Sequence, residues 1–548
     1  MRGYPLYPSD EIWDLRELVE QGERKHPNHA AFRVRRGERD EDISYRRFAQ
    51  EVERLGNALL ARGLQGRNVA LTGENCYEWV LAYFACVNSN ITVVPLDREL
   101  PGAEMAAIAE RTGAAALLHT DAYAGEAREI QAARGGLLLV NLTRDDGPDS
   151  LPRLLDEGQG GTAYRELRVD RERPAVILFT SGTTGMSKGV MLCHRNLAAD
   201  VMSTCQMVWF DRDEVLLSVL PIHHTYECSC GILSMLHNGL TICFNDSIKH
   251  LPENLRRYRP TSVMLVPLYV ETFYKRIWDA AERGGKAGKL RAAVELTNLL
   301  GRHGVGLKRR LMGEVHAFFG GRLSKIICGG AYLDPALVKG FRDLGIQVIQ
   351  GYGITECAPL VAVNRNQRFR DNAVGLPVPN CQVRISPGED GSGEVLVRGN
   401  QVMLGYYDQP EETAKVFDGE WFRTGDIGYL DDDGFLHITG RSKNVIVLRN
   451  GKNILPEEIE ALLLRSPLVA EAVVRGGGDG GDEFLVALVY PDPERFRELG
   501  LEQMRAQLSA LADEVNDRLP YYKRLHHCEI REEPFPKNTS RKIVRYRV

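Results

Sequence analysis

The chain has 548 residues, 43% of them hydrophobic and 26% charged, with 69 Lys+Arg against 74 Asp+Glu and a formal net charge of −5. That length is too great for one core, so two or more domains are expected, and the near balance of charge excludes the global polycation of a nucleic-acid binder. Eleven cysteines lie scattered without zinc-type pairs, residues 1–15 lack a signal-peptide apolar core, and no run of about 18 apolar residues exists to span a bilayer. The expected setting is cytoplasmic with reduced thiols, and peripheral contact at the inner face of a membrane stays open.

Residues 11–64 read as helix, strand, helix. Phe48, Val52, Leu55 and Leu59 recur at helical spacing, so an amphipathic helix capped by Ser44 is expected over 44–62. A short strand at 68–71, an apolar helix at 79–87 and the string TVVPLD at 92–97 alternate as β-α-β, the sign of a doubly wound parallel sheet. Residues 114–118 and 136–140 offer further strands.

An apolar, β-branched strand at 175–179 leads into LFTSGTTGMSKGVML at 178–192. There the hydroxyls of Thr180, Ser181, Thr183 and Thr184 are interleaved with Gly182 and Gly185, and Lys188 follows. Glycines let backbone N–H groups approach an anion, hydroxyls donate further hydrogen bonds, and lysine adds a mobile charge, a combination suited to a polyphosphate. It is not the P-loop of nucleotide triphosphatases, because Lys188 sits between Ser187 and Gly189.

A strand at 215–220 runs into PIHHTYE at 221–227. A polar turn at the exit of a buried strand is where an α/β sheet presents functional groups, although lone histidines are often structural. A strand at 260–267 and a helix at 271–277 follow, then a basic stretch at 281–311 that reads as a solvated helical face or loop. The strand at 325–328 ends in Gly329, Gly330 and Ala331, small enough for a flat ring to lie against backbone. The strand at 347–350 ends in Gly351-Tyr352-Gly353-Ile354-Thr355-Glu356, which offers an aromatic face, a hydroxyl and a carboxylate. A nucleotide base, its phosphate and its Mg²⁺ need those three.

From 393 to 440 the pattern changes to short alternating strands with tight turns, a small antiparallel barrel or sheet. Residues 440–460 open with charge and a hairpin-like NGKN, then start a helix with Pro456 just inside it. The domain boundary is placed here, giving 1–440 and 441–548. Beyond it, a strand pair around 476–482 and a helix marked by Leu501, Met504, Leu508, Leu511 and Val515 make a compact α+β domain.

The string TSGTTGMSKGVMLCHRN resembles the signature of the AMP-forming adenylating enzymes, which include acyl-CoA synthetases, nonribosomal adenylation domains and luciferases. LPIHHTYE resembles the family's Leu-Pro-x-x-His segment in the form seen in long-chain fatty acyl-CoA synthetases, and residues 352–356 its Tyr-Gly-x-Thr-Glu. The likeness runs over roughly 20–545. It implies a large N-terminal α/β domain of mainly parallel sheets with a small antiparallel barrel, then a small mobile C-terminal domain. It also implies activation of a fatty acid with ATP and Mg²⁺ and transfer to coenzyme A.

By the same resemblance, Lys188 and the 180–185 loop receive phosphates, His224 sits beside the acid's carboxylate, and Tyr352 lies against adenine. Thr355 meets the α-phosphate, Glu356 and Thr180 hold the metal, Asp426 takes the ribose hydroxyls, and Arg441 approaches the ribose. Lys443 would be the hinge, Gly451 would border the thioester-stage tunnel, and Lys542 would enter for adenylation. Arg541 stands where the family usually has glycine. The basic stretch at 281–311 then has a second reading, contact with anionic phospholipid or the CoA phosphate. Acyl transfer to a separate carrier protein, a non-catalytic acyl or nucleotide sensor, and a homodimer are left open, as are chain length and any preference for aromatic acids.

Overall fold

The computed structural model describes residues 4–144, 147–180, 187–301, 307–388, 391–448, 452–478, 484–537 and 543–548. It divides into two compact units, one made of Met1–Gln382 with Val397–Phe422, the other of Val383–Leu396 with Arg423–Val548.

The first unit is built on two large sheets. In the nine-stranded sheet, Ala30–Arg36, Thr241–Phe244, Val215–Ser218, Ser262–Leu265, Lys325–Cys328 and Gln347–Gly353 run parallel in that spatial order, with antiparallel strands at both ends. In the seven-stranded sheet, Pro174–Thr180, Thr92–Pro95, Asn68–Thr72, Ala116–His119 and Leu138–Asn141 are parallel, Lys188–Cys193 is the antiparallel partner of Pro174–Thr180, and Gly405–Tyr406 pairs antiparallel outside it as the edge. The alternation of short apolar runs with helices therefore produces doubly wound sheets, as expected.

Local chemistry sets the helices. The expected helix from 44 runs Tyr45–Ala61, with the Ser44 hydroxyl accepting from Arg47 N at 3.2 Å. Helix Tyr77–Val87 has every residue buried, as an all-round apolar helix must be. The nine-stranded sheet packs Leu217, Leu265 and Ile326 against Phe273, Phe319 and Phe341. The seven-stranded sheet packs Ala70, Val94 and Leu117 against Met105, Ile108 and Ile130.

Two local readings change, and for the basic stretch the helical alternative holds. Residues 11–64 contain a hairpin, not a single strand: Ala30–Arg36 pairs with Arg39–Ser44 around Gly37 at φ 61°. The charges of RRGERD hid a turn that only the glycine marked. The basic stretch is largely helix, with Ala287–Gly301 following Pro267–Arg283. Helix Pro493–Asn516 breaks at Gly500, so Leu501 is exposed while Met504, Leu508 and Val515 are buried.

In the second unit, Trp421–Leu430 pairs antiparallel with Leu436–Arg441 through its residues 426–430. The three-stranded sheet Val469–Gly477, Phe484–Pro491 and Leu525–Ile530 packs on helices Pro456–Leu463 and Pro493–Asn516. Pro456 occupies the first helical position, as read from the sequence. Among the described residues, no helix is long and apolar enough to cross a membrane, and all eleven cysteines are free thiols.

Candidate active site

Within the first unit, strands of both sheets release residues at their carboxyl ends, the place where open α/β sheets bind ligands. Asn75, buried after Asn68–Thr72, ties the two sheets together. Its Nδ2 donates to Leu220 O at 2.7 Å, and its Oδ1 accepts from Ile222 N at 3.2 Å. The turn carrying His223 and His224 is thus held by an amide from the other sheet. Asp97, just past Thr92–Pro95, brings Oδ1 to 3.3 Å from His223 Nε2. These groups open on a cleft of about 370 Å³ lined also by Leu178, Thr180 and Thr355, so three residues singled out from distant motifs, Thr180, His224 and Thr355, share one space.

The phosphate-loop candidate is flanked by two strands, Pro174–Thr180 and Lys188–Cys193, that pair antiparallel. Thr180 faces Lys188 across the antiparallel ladder. Lys188 Nζ reaches Glu412 Oε2 at 2.7 Å and lies 4.8 Å from the centre of the Tyr406 ring. Tyr406 pairs with Val190 on the same edge and donates its hydroxyl to Glu356 Oε1 at 2.9 Å. Burial, reinforced by the Glu356 carboxylate, raises the Tyr406 phenol well above its ordinary range, so it stays a donor. Lys188 and Glu356 are therefore linked through one tyrosine. Hydrogen bonding to Lys188 holds Glu412 at a pKa of about 2, so the pair persists at neutral pH.

The two small-residue strings also meet. A Cβ on Gly329 would lie 3.1 Å from Gly351 O, and one on Gly353 would lie 2.4 Å from Pro359 O, a distance no side chain tolerates. Gly330 has φ 90°, a region that favours glycine. Ala331 is exposed, and Tyr352, Thr355 and Glu356 are half-buried.

Behind the histidine turn, Tyr226–Leu233 forms a π-helix, a form concentrated at functional sites. Glu227 at its start is fully buried beside Ser218, Val219 and Leu220, and burial, only partly offset by those neighbours, raises its pKa to about 8. Asp200 is raised likewise to about 8 by burial, although it accepts from Leu360 N at 2.8 Å. Both are neutral acids inside the protein at pH 7.

In the second unit, Asp426 is buried and stands opposite Arg441 in antiparallel register, Oδ1 to Nε 2.8 Å. Gly425 before it has φ 71°, and its N donates to Glu394 Oε1 at 3.1 Å. Lys443 is exposed in the turn Ser442–Asn444. Ser181, Gly182, Thr183, Thr184, Gly185, Gly451, Arg541 and Lys542 lie outside the described residues.

A family model described as AMP-binding enzyme matches residues 19–407, and one described as AMP-binding enzyme C-terminal domain matches residues 443–548. The chain belongs to the AMP-binding enzyme family. This AMP-binding enzyme is 31% identical over 476 residues to the long-chain-fatty-acid–CoA ligase FadD15 of Mycobacterium bovis, covering 83% of this chain and 78% of that one. It is 29% identical over 505 residues to the indoleacetate–CoA ligase of Aromatoleum aromaticum, covering 89% and 90%. Its fold matches o-succinylbenzoate CoA synthetase of Bacillus subtilis bound to an acyl-adenylate, with TM-score 0.74, 20% identity and 98% of both chains covered. The enzyme thus sits among adenylate-forming acyl-CoA ligases, the acid–thiol ligase class.

Sequence reasoning missed Asn75, Asp97, Tyr406 and Glu412. Asp97 carried a signal, a carboxylate closing the strand string TVVPLD. Tyr406 and Glu412 had none that local pattern could supply, since Glu412 meets Lys188 across 224 positions.

Proposed function

We propose that this enzyme is an ATP-dependent acyl-CoA synthetase that activates a long-chain fatty acid as its acyl-adenylate and passes the acyl group to coenzyme A. The observation that supports this reading is the chain Lys188–Tyr406–Glu356, which starts on the strand that follows the hydroxyl-and-glycine string, with a cleft lined by Thr180, Thr355 and His224 in the same unit. The identity with a long-chain-fatty-acid–CoA ligase over most of the chain supports the acid class.

A carboxylate resists nucleophiles because resonance and charge both oppose attack. Joined to AMP as a mixed anhydride, it gains a weakly basic leaving group. In the first step a carboxylate oxygen forms a bond to the α-phosphorus while the bond to pyrophosphate breaks. Two anions meet there, and a lysine at about 4 Å contributes roughly 4 kcal/mol of attraction per unit charge at an effective dielectric near 20. Lys542 takes that role at carboxylate and α-phosphate, and Lys188 with the hydroxyls and glycines of 181–185 receives the departing pyrophosphate. Thr355 donates to the α-phosphate, and His224 orients the acid.

An oxygen donor set suits Mg²⁺, and Glu356 with Thr180 provides carboxylate and hydroxyl; there the ion would neutralise phosphate charge. Tyr352 and the Gly329–Gly330–Ala331 and Gly351–Gly353 strings take the adenine, while Asp426 and Arg441 take the ribose. In the second step the CoA thiolate attacks the acyl carbon and the bond to AMP breaks. Lys542 has no work in that step, so a hinge at Lys443 retires it and the loop at Gly451 borders the pantetheine path. The functional domains are 1–440 and 441–548.

Acid-dependent ATP–pyrophosphate exchange across acetate, palmitate, benzoate and indoleacetate tests the reading. Exchange with palmitate, followed by CoA consumption equal to AMP release, is expected. Exchange with no CoA thioester would instead favour a carrier-protein acceptor, and no exchange with any acid would overturn the proposal in favour of a sensor. Preference for indoleacetate would move the acid class to aromatic acids, a choice that the second relative supports.

A further inference from the structure

We propose that Asp97, His223 and His224 form a binding site for a borderline-soft dication of the Zn²⁺ class, separate from the Mg²⁺ that accompanies ATP. One donor atom from each residue lies within 4.8 Å of the other two. His223 Nε2 and Asp97 Oδ1 are 3.3 Å apart. Metal–ligand bonds of about 2.0–2.1 Å in a tetrahedron place neighbouring donor atoms roughly 3.3 Å from each other, so this edge already has coordination spacing. The His224 ring, whose centroid is 4.3 Å from that of His223, offers the third donor atom of the group.

His223 supplies the second observation. Its side chain is 5% exposed, and among the described residues its Nε2 is buried with no hydrogen-bond partner: the Asp97 oxygen is near but not aligned for one. Buried ring nitrogens without a partner are rare because their desolvation is uncompensated, and each calls for an explanation such as an ion. Asp97 Oδ1 already accepts from Glu99 N at 2.9 Å, which holds the carboxylate in place, and a dication on the Nε2 lone pair would satisfy the nitrogen. The cleft leaves room for the water that would fill a fourth position.

The donor set selects the metal. Two imidazoles and one carboxylate suit Zn²⁺ or Co²⁺, whereas Mg²⁺ prefers oxygen ligands and retains its waters. Asn75, by gripping the backbone of Leu220 and Ile222, fixes the loop from which both histidines project. Thr180 and Thr355 line the same cleft, so an ion there occupies the place assigned above to the acid's carboxylate. That last consequence rests on the acyl-CoA synthetase reading; the binding does not.

The test is competition between the full-length enzyme and a chromophoric chelator for Zn²⁺, with excess Mg²⁺ present. The expected result is one equivalent of Zn²⁺ that Mg²⁺ does not displace, with affinity reduced about tenfold or more in Asp97→Asn and in His223→Gln. Melting curves establish that each variant is folded. If either is not, the Co²⁺ spectrum of the parent decides, through visible bands of a four-coordinate nitrogen and oxygen site without thiolate charge transfer. No stoichiometric uptake, uptake unchanged in both variants, or thiolate bands that place the ion on cysteines would overturn the proposal. Zn²⁺ that binds as expected yet fails to compete with the acid in pyrophosphate exchange would support the metal site and overturn the placing of the carboxylate at His224.

Discussion

Lys188 and Glu412 form an ion pair of 2.7 Å across the edge of the seven-stranded sheet, so the lysine assigned to the phosphates is already engaged by a carboxylate. For Lys188 to reach a phosphate, that pair must open.

Glu412→Gln removes the competing carboxylate, and the KM for ATP in pyrophosphate exchange is expected to fall about two- to fivefold, the scale of an exposed ion pair. An unchanged or higher KM would show that Glu412 assists nucleotide binding instead of opposing it.

Glu227→Gln bears on pH. Burial raises the folded-state pKa to about 8 from the ordinary value of 4.5, so between those values the folded protein holds a proton that the unfolded chain has released. Stability therefore falls as pH rises across that window, by up to about 1.4 kcal/mol per pH unit for one such group, and levels off above it. The variant lacks this slope. Urea midpoints from about pH 5 to about pH 8 should show its advantage over the parent growing with pH, and parallel curves would count against a neutral Glu227.

Asn75→Ala should cost about 1–3 kcal/mol, because Leu220 O and Ile222 N lose a buried partner. Since that amide positions the histidine turn, acid-dependent exchange should lose kcat/KM for the acid while the KM for ATP holds. Equal loss for both substrates would mean a general structural fault.

Lys542→Ala should slow adenylation by about 10²-fold or more while leaving thioester formation from supplied acyl-AMP nearly intact. Rapid-quench assays of the two half-reactions separate these outcomes, and equal loss in both would reject the division of labour.

Much of this was legible in the sequence because it is local. The strand expected over 325–328 is found as Lys325–Cys328, and Ser44 caps its helix. The glycine strings at 329 and 351 were visible as strings, but their close approach was not, since it depends on two parallel strands ending side by side. Glu412, Tyr406 and Asn75 stayed hidden for the same reason: each acts on a partner that tertiary folding alone delivers. The Arg35–Arg36 charges masked a hairpin because residues 35–40 around its turn are all exposed, so the apolar alternation stops before the turn.

The pairing of Pro174–Thr180 with Lys188–Cys193 carries one more consequence. Its two strands are locked in register at Thr180 and Lys188, and a shift of one residue along a strand turns every side chain to the opposite face. The bridge between them can therefore exchange one amino acid for another during evolution far more readily than it can gain or lose one, and its length is inherited as a property of the sheet.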